Sequence, residues 1–384
     1  IEKERLTVAE LLKQHGYATG RVGKEHLGMD WRDKNGNIVN DALEITDAHF
    51  KPDPAPQRVE AVAKKIDFSQ PITGGPTDHG FDYYWGADVP NFPPYIWIKN
   101  DRLQGNPTLP KPKEMFGAPG PMLPGWKLEE ILPSLSEKSC EWIIEQSKTE
   151  KPFFLYVPLT SPHTPIATSE KFRGKSDISN YADFVMETDA VVGNIMAALE
   201  KSGAAANTLV IFSTDNGTSW VANFKELEKH GVDLHHHFKG HKAQIHEGGH
   251  RVPFVVRWPG KTAAGSRCDD VVGLNDFMAT VADMLDAKLP ENSAEDSTSI
   301  LPLITGKAKS LPNRPFVVNH DYRGRFAIRK GPWKLVENKK LYNLKTDPKE
   351  ATDLAAKHPE RVSLLQKTLK NYQDSGRSRT TTQN

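Results

Sequence analysis

Apolar runs of strand length alternate with helical patterns through the middle of this chain, and that alternation restricts its fold more than any other feature. PFFLYVPL (152–159) is followed by Tyr181, Phe184, Thr188, Val192, Ile195 and Leu199, which recur at helical spacing and predict a helix over 180–201. TLVIFS (208–213) and VPFVVRW (252–258) are further strands, and LNDFMATVADML (274–285) is a further helix. Upstream, helices are expected over 7–15 and 128–147, with a strand over 17–22 between them. Thr7 and Glu10 form a capping-box pattern, and Gly16 suits a left-handed C-cap. Continuous apolar strands are those covered on both faces. The expected fold is therefore α/β: a large mixed, mostly parallel sheet flanked by helices, assigned to residues 1–304.

Two stretches break the alternation. From Asp30 to about Leu123 the chain is rich in Pro, Gly, Asn and Asp, with aromatic islands at GFDYYWG (80–86) and PPYIWIKNDR (93–102). Such a length exceeds an ordinary connection and reads as functional loops over a scaffold. Beyond residue 304, short strands are expected at 315–319, 325–330, 333–336 and 341–344, then a helix over 359–372. Residues 305–374 thus form a small C-terminal antiparallel sheet plus helix, and 375–384 a disordered tail.

Composition narrows the function classes. Lys plus Arg total 50 against 49 Asp plus Glu, so no overall field calls for nucleic acid or a membrane surface. Two cysteines, Cys140 and Cys268, make neither a disulfide framework nor a cysteine metal cluster. No apolar run approaches the ~18 residues that span a bilayer. The opening IEKERLTVAELL, without Met or leader, leads to the expectation that a segment upstream has been cut off.

In open α/β sheets, polar groups gather beyond the carboxyl ends of strands. VGKEHLG (22–28) follows the first strand and carries Lys24 and His26, and TSPHTP (160–165) sets His163 between prolines. TDNG (214–217) supplies Asp215 and Asn216, and HHHFKGHKAQIHEGGHRVP (235–253) supplies Lys242 and Glu247. Taken singly, each is an ordinary loop feature, and HHH (235–237) is better read as surface than as a metal clamp, because adjacent histidines diverge. Together they make chemical sense. An adjacent carboxylate and amide oxygen suit Ca²⁺ or Mg²⁺. Two lysines can neutralise charge on non-bridging oxygens, and two histidines can move a proton near neutral pH. That is apparatus for sulfuryl or phosphoryl transfer.

With those residues assembled, the chain resembles the formylglycine-dependent (type I) sulfatases of the alkaline-phosphatase superfamily. LTVAELLKQHGYATGRVGKEHLG is similar to the family block around GKWHLG, and PTDHGFDYYWG, PFFLYVPLTSPHTP, NTLVIFSTDNG, KAQIHEGGHRVPFVVRWPGK and LYNLKTDPKEATDLA resemble other blocks in the same order. The resemblance implies that Lys24 and Lys242 grip sulfate oxygens and that His26 contacts a formylglycine hydrate. It implies His163 as general acid at the ester oxygen, and Asp215 and Asn216 as part of a Ca²⁺ site. It further implies a sulfate-ester substrate and export to the periplasm or beyond the cell. Tyr95, Trp97, Lys99 and Arg102, in a loop that also holds Asp101, are the residues expected to meet the leaving group, best suited to a sulfated polysaccharide. His320 and Arg325 are expected at the same mouth.

The chain also departs from the family. The nucleophile motif C/S-x-P/A-x-R is expected upstream of Lys24 together with a pair of metal-binding aspartates, and neither stands there; Cys140 is followed by EWI and Cys268 by DDV. The chain as given is therefore expected to hold no nucleophile and to be inactive, whereas the full-length protein is expected to be active. A phosphoesterase or phosphonate monoester hydrolase of the same superfamily is the nearest rival, and a non-catalytic glycan-binding protein is the rival of another class. Glu25 stands where the family has Trp. It is expected to face solvent while Lys24 and His26 face inward, since neighbours in an extended segment alternate.

Overall fold

The computed structural model describes residues 1–39, 61–234, 236–312 and 314–379. They fold into two compact units, Ile1–Ala205 and Ala206–Asn384.

The first unit is built on a five-stranded mixed sheet. Its strands are β1 (Ala18–Lys24), β2 (Tyr83–Ala87), β3 (Ile98–Lys99), β4 (Arg102–Leu103) and β7 (Phe153–Tyr156), in the order β4-β3-β2-β1-β7. β5 (Leu109–Pro110) and β6 (Pro121–Met122) form a separate small hairpin. β1 is parallel to both its neighbours, with Val22 opposite Trp85 and Gly20 opposite Leu155. β3 and β4 add on in antiparallel sense.

The helix α1 (Val8–Gln14) starts at the expected capping box: Thr7 accepts from the Glu10 N–H at 3.1 Å and Glu10 accepts from the Thr7 N–H at 2.7 Å. Helix α2 (Ile131–Gln146) lies against β1, where Trp142 occupies the space a side chain at Gly20 would need; an added Cβ would sit 2.6 Å from the indole. The other side of α2 meets α3 (Asn180–Lys201), with Leu132, Phe184 and Val191 buried between them. Burying such side chains contributes about 1.5–3 kcal/mol each.

In the second unit, β8 (Val210–Ser213) and β9 (Phe254–Arg257) pair antiparallel. Helix α4 (Glu247–His250) is a single turn, and α5 (Asp276–Met284) carries Asp276, which is clamped by Arg314 at 2.6 and 3.0 Å. The C-terminal sheet is a meander of β10 (Val317–His320), β11 (Phe326–Lys330), β12 (Trp333–Val336) and β13 (Lys340–Asn343). Helix α6 (Pro359–Ser375) covers one face through Leu365 and Leu369. Among the described residues no helix is long and apolar enough to cross a membrane.

Three features differ from the sequence expectation. The stretch 30–123 is not only loop: it supplies β2, β3 and β4, and Trp97, expected to meet the leaving group, stacks 5.5 Å from Trp85 and 5.0 Å from Trp126. Strands of two residues are too short to show a period; residues 40–60 of that stretch lie outside the described residues. The apolar strands β7, β8 and β9 are only half-covered, leaving Tyr156, Phe212 and Val255 at 47%, 41% and 57% exposure. Finally, the tail is ordered further than expected. α6 runs to Ser375, and Arg379 donates to Pro290 O and Ser293 O, each at 3.0 Å, while Ser378 N–H reaches Asp296. Residues 380–384 lie outside the described residues.

The parallel centre of the first sheet depends on a close backbone approach. A Cβ at Gly86 would lie 1.8 Å from Gly23 O, and one at Gly23 would lie 2.2 Å from Pro158 O. Gly86→Ala is expected to lower the unfolding free energy by about 3 kcal/mol, the upper range for overpacking. Urea denaturation against Gly193→Ala, a helical site with open space and no positive φ, checks it.

Candidate active site

Three adjacent parallel strands end together in the first unit. β1 delivers Lys24, whose N–H donates to Pro158 O at 2.9 Å, on the β7 side. Glu25 N–H donates to Ala87 O at 3.0 Å, on the β2 side. The segment is thus pinned on both flanks just where it leaves the sheet. Lys24 is half-buried and His26 exposed. β7 runs on through Pro158 into the His163 loop, where Ser161-Pro162 and Thr164-Pro165 are both cis peptides. His163 is half-buried and its Nδ1 lies 2.7 Å from Thr164 O. A proton on Nδ1 there leaves Nε2 as the nitrogen that exchanges a proton with a ligand.

Glu25 does not face solvent. It is 2% exposed, its Oε2 lies 2.6 Å from Arg21 Nη1, and its Oε1 accepts from Leu27 N–H at 2.6 Å. The expected sense is reversed: Glu25 is buried, while Lys24 is half-buried and His26 exposed. The reason is Arg21, buried on the same face two strand repeats earlier, which also donates to Lys24 O at 2.8 Å. A buried guanidinium demands a carboxylate.

Asp88, the first residue beyond β2, was not singled out by sequence pattern. Burial, reinforced by the charge of Glu25 and opposed by the Val89 N–H bond, pushes its carboxyl up to about 7. A carboxyl perturbed in that way at the mouth of a sheet is a functional candidate. The only signal in the sequence is its position after a strand, parallel to those ending at Lys24 and before His163.

The second unit gathers the other candidates. Asp215 is exposed just beyond β8, and Asn216 Nδ2 donates to Gly217 O at 3.1 Å, leaving its Oδ1 as acceptor. Gly217 N–H donates to Gly249 O at 3.0 Å and Lys242 N–H to Thr218 O at 2.9 Å. These bonds set the Asp215-Asn216 loop beside the Lys242 loop. The turn after β10 joins them, since Tyr322 N–H donates to Ala243 O at 3.2 Å.

Below Lys242, Glu247 is a structural anchor. Its carboxylate lies 3.0 Å from Lys334 Nζ and 3.1 Å from Arg329 Nη1, while its N–H donates to Glu350 at 2.7 Å. Lys334 also reaches Glu350 at 3.1 Å. Burial opposes ionisation of both carboxylates, but the cations around Glu247, and His246 with Lys334 around Glu350, hold them below the usual range.

Several expected substrate residues are placed otherwise. Tyr95 is 1% exposed and its hydroxyl donates to Ala118 O at 2.6 Å, so it has no face left for a sugar ring. Trp97 is held in the aromatic stack. Lys99 and Arg102 are exposed, Arg102 donating to Ser69 O at 2.9 Å. His320 is exposed, and Arg325 is engaged by Asp321 and Glu337 at 2.5 Å each. His235 lies outside the described residues, and His237 pairs with Asp233 at 2.9 Å.

The fit to calcium is incomplete. Asp215 and Asn216 offer the right oxygen chemistry, but calcium takes about six to eight oxygen ligands. Among the described residues no group of three or more His, Cys, Asp or Glu side chains could hold a metal. A Ser-x-Pro-x-Arg string does occur elsewhere in the chain, at Ser310-Leu311-Pro312-Asn313-Arg314. It stands downstream of Lys242 rather than upstream of Lys24, and its Arg314 is consumed by the buried pair with Asp276.

A family model described as Sulfatase matches residues 1–287, and one described as N-sulphoglucosamine sulphohydrolase, C-terminal, matches residues 235–375. The chain belongs to the sulfatase family. This sulfatase is 30% identical to the N-acetylgalactosamine-6-O-sulfatase of Bacteroides thetaiotaomicron, over 96% of its own length and 77% of that relative. It spans about half the length of other curated sulfatases that it matches. A solved structure described under metabolism of multiple glycosaminoglycans by Bacteroides thetaiotaomicron superposes with a TM-score of 0.78 at 26% identity, covering 97% of this chain and 82% of that one. The structure of Ps i-CgsB in complex with k-i-k-neocarrahexaose shares the fold, with a TM-score of 0.69 at 21% identity over 97% of this sulfatase and 75% of that chain. By family, then, the chain is a sulfuric ester hydrolase.

Two outcomes follow for the first unit. Glu25→Ala leaves the Arg21 charge buried without its carboxylate, and is expected to cost about 3–5 kcal/mol in urea denaturation. For Asp88, the folded pKa stands above the ordinary carboxylate value, so the folded protein holds the proton more tightly than the unfolded chain. Its contribution is fullest below pH 3.8 and is lost as pH rises towards 7. Asp88→Asn should remove that slope from the stability-pH profile between pH 4 and pH 7.

Proposed function

We propose that this sulfatase acts on sulfated carbohydrate, with 6-O-sulfated N-acetylgalactosamine as its first substrate class. The observation that carries the reading is the delivery of Lys24, His26 and His163 from the carboxyl ends of two adjacent, hydrogen-bonded parallel strands. The identity to the N-acetylgalactosamine-6-O-sulfatase supports the sugar.

The roles follow from chemistry. Lys24 and Lys242 are ammonium groups that offset charge on the non-bridging sulfate oxygens as the ester bond lengthens. His163, with Nδ1 held by Thr164 O, delivers a proton from Nε2 to the departing sugar oxygen. His26, exposed beside Lys24, orients the attacking group. Asp215 and Asn216 would contribute two oxygens to a calcium ion, which when bound supplies Lewis-acid polarisation of the sulfate. What Lys24, His26, His163 and Lys242 perform is binding, orientation and proton transfer.

In the protein made from its native gene, Lys24→Ala or His163→Ala should reduce sulfate release from a 6-sulfated N-acetylgalactosamine oligosaccharide at least about 100-fold, the scale of a lost general acid or oxyanion partner. Ion chromatography of released sulfate reads it. Wild-type rates in either variant would remove the role assigned to that residue. Preference for phosphate esters would favour the phosphoesterase, and binding without turnover the glycan-binding protein.

A further inference from the structure

A cavity of about 480 Å³ lies within the second unit, between the β11–β12 turn, the first turns of α6 and the segment around Leu311. Its lining carries Arg314, Arg329, Lys330 and Arg361 against a single carboxylate, Asp270. None of these residues has a role in the chemistry above.

Two of the four cations are already matched inside the fold. Arg314 is held by Asp276 and Arg329 by Glu247. Asp270 is used too, accepting from Leu311 N–H. Lys330 and Arg361 make no ion pair with any described residue. Arg361 is instead laid over the Trp333 ring, with Cζ 4.4 Å from the centroid, and His358 packs edge-on at 5.0 Å on the same indole. Stacking uses the face of a guanidinium and leaves its in-plane N–H donors unspent. The Nε atoms of both Arg361 and Arg314 are buried without a hydrogen-bond acceptor among the described residues. Those Nε atoms are closed off from the cavity, so an oxyanion there would be met by the terminal Nη donors of Arg361 and by Lys330 Nζ.

The volume lies within the range of small-ligand sites, about 300–1,000 Å³, and exceeds what a bare inorganic anion needs. Leu364, 53% exposed at the rim, adds an apolar surface for the body of such a ligand. We propose that this cavity is a second saccharide site, taking a sulfate-bearing sugar unit of the same polyanionic chain, with Arg361 and Lys330 as its anion-binding residues and Trp333 as the support for Arg361. The assignment rests on the sulfated-carbohydrate reading given above.

The test uses the 384-residue chain carrying Lys24→Ala and Lys242→Ala, so that binding at the strand ends is suppressed. Titration calorimetry with a 6-sulfated galactosaminoglycan hexasaccharide should show binding that Arg361→Gln with Lys330→Gln weakens at least tenfold. Leu364→Glu, an exposed change that adds a negative charge at the rim, should weaken it similarly without lowering the melting temperature. Hydrogen exchange should slow in residues 359–366 when the hexasaccharide is added to the unmutated cavity. Unchanged affinity in both cavity variants overturns the proposal. So does binding of inorganic sulfate with no binding of the hexasaccharide, or equal binding of the unsulfated hexasaccharide. Failure of the main reading shows separately, as sulfate release in the native-gene protein that Lys24→Ala and His163→Ala leave intact.

Discussion

The first unit depends on the two-sided hydrogen bonding of β1. With Lys24 tied to Pro158 and Glu25 to Ala87, the last residues of the strand cannot fray, and the side chains that follow start from fixed backbone. Parallel pairing gives the loops after β1, β2 and β7 the same exit. Glycine at 23 and 86 is the condition for this, because the three backbones approach too closely there for any side chain. The polar loops are consequences of that strand arrangement, and their chemistry is legible only once the shared exit is known.

A comparable dependence holds in the second unit, through charge. Lys242 sits five residues before Glu247, and Glu247 is fixed by Lys334 and Arg329 on the C-terminal sheet and by Glu350 beyond it. Ion clusters so deeply buried add little net stability compared with apolar packing of the same shape, but each member is costly to remove. Their use here is to set position: together with Ile245, buried against Ala327, Val336 and Tyr342, they lock the loop against a sheet formed nearly a hundred residues later. The C-terminal subdomain is thereby part of what places Lys242.

Much of this was legible in the sequence. The helical spacing of Phe184, Thr188, Ile195 and their neighbours locates α3 to the residue, although the buried valine is Val191 rather than Val192, and the capping box at Thr7 marks the start of α1. Patterns of that kind are local. Glu25 and Tyr95 were misplaced because their environments are set by partners that no periodicity reveals. Arg21 lies close in sequence, but its burial depends on the sheet. Tyr95 finds Ala118 across an irregular loop. Asp88 escaped notice for a related reason: its shifted carboxyl exists only when β1 and β2 are paired. The half-covered strands β7, β8 and β9 show the reverse error, since an apolar run reports capacity for burial and not its completion.

The Arg21–Glu25 pair also bears on how this chain differs from its relatives. The family block it resembles has tryptophan at the position of Glu25. Placing tryptophan there in this protein would remove the carboxylate that answers a guanidinium at 8% side-chain exposure, so the replacement could be tolerated only if Arg21 changed with it. Changing either residue alone leaves the other's charge buried without its partner, so a route between the two forms passes through a destabilised single mutant.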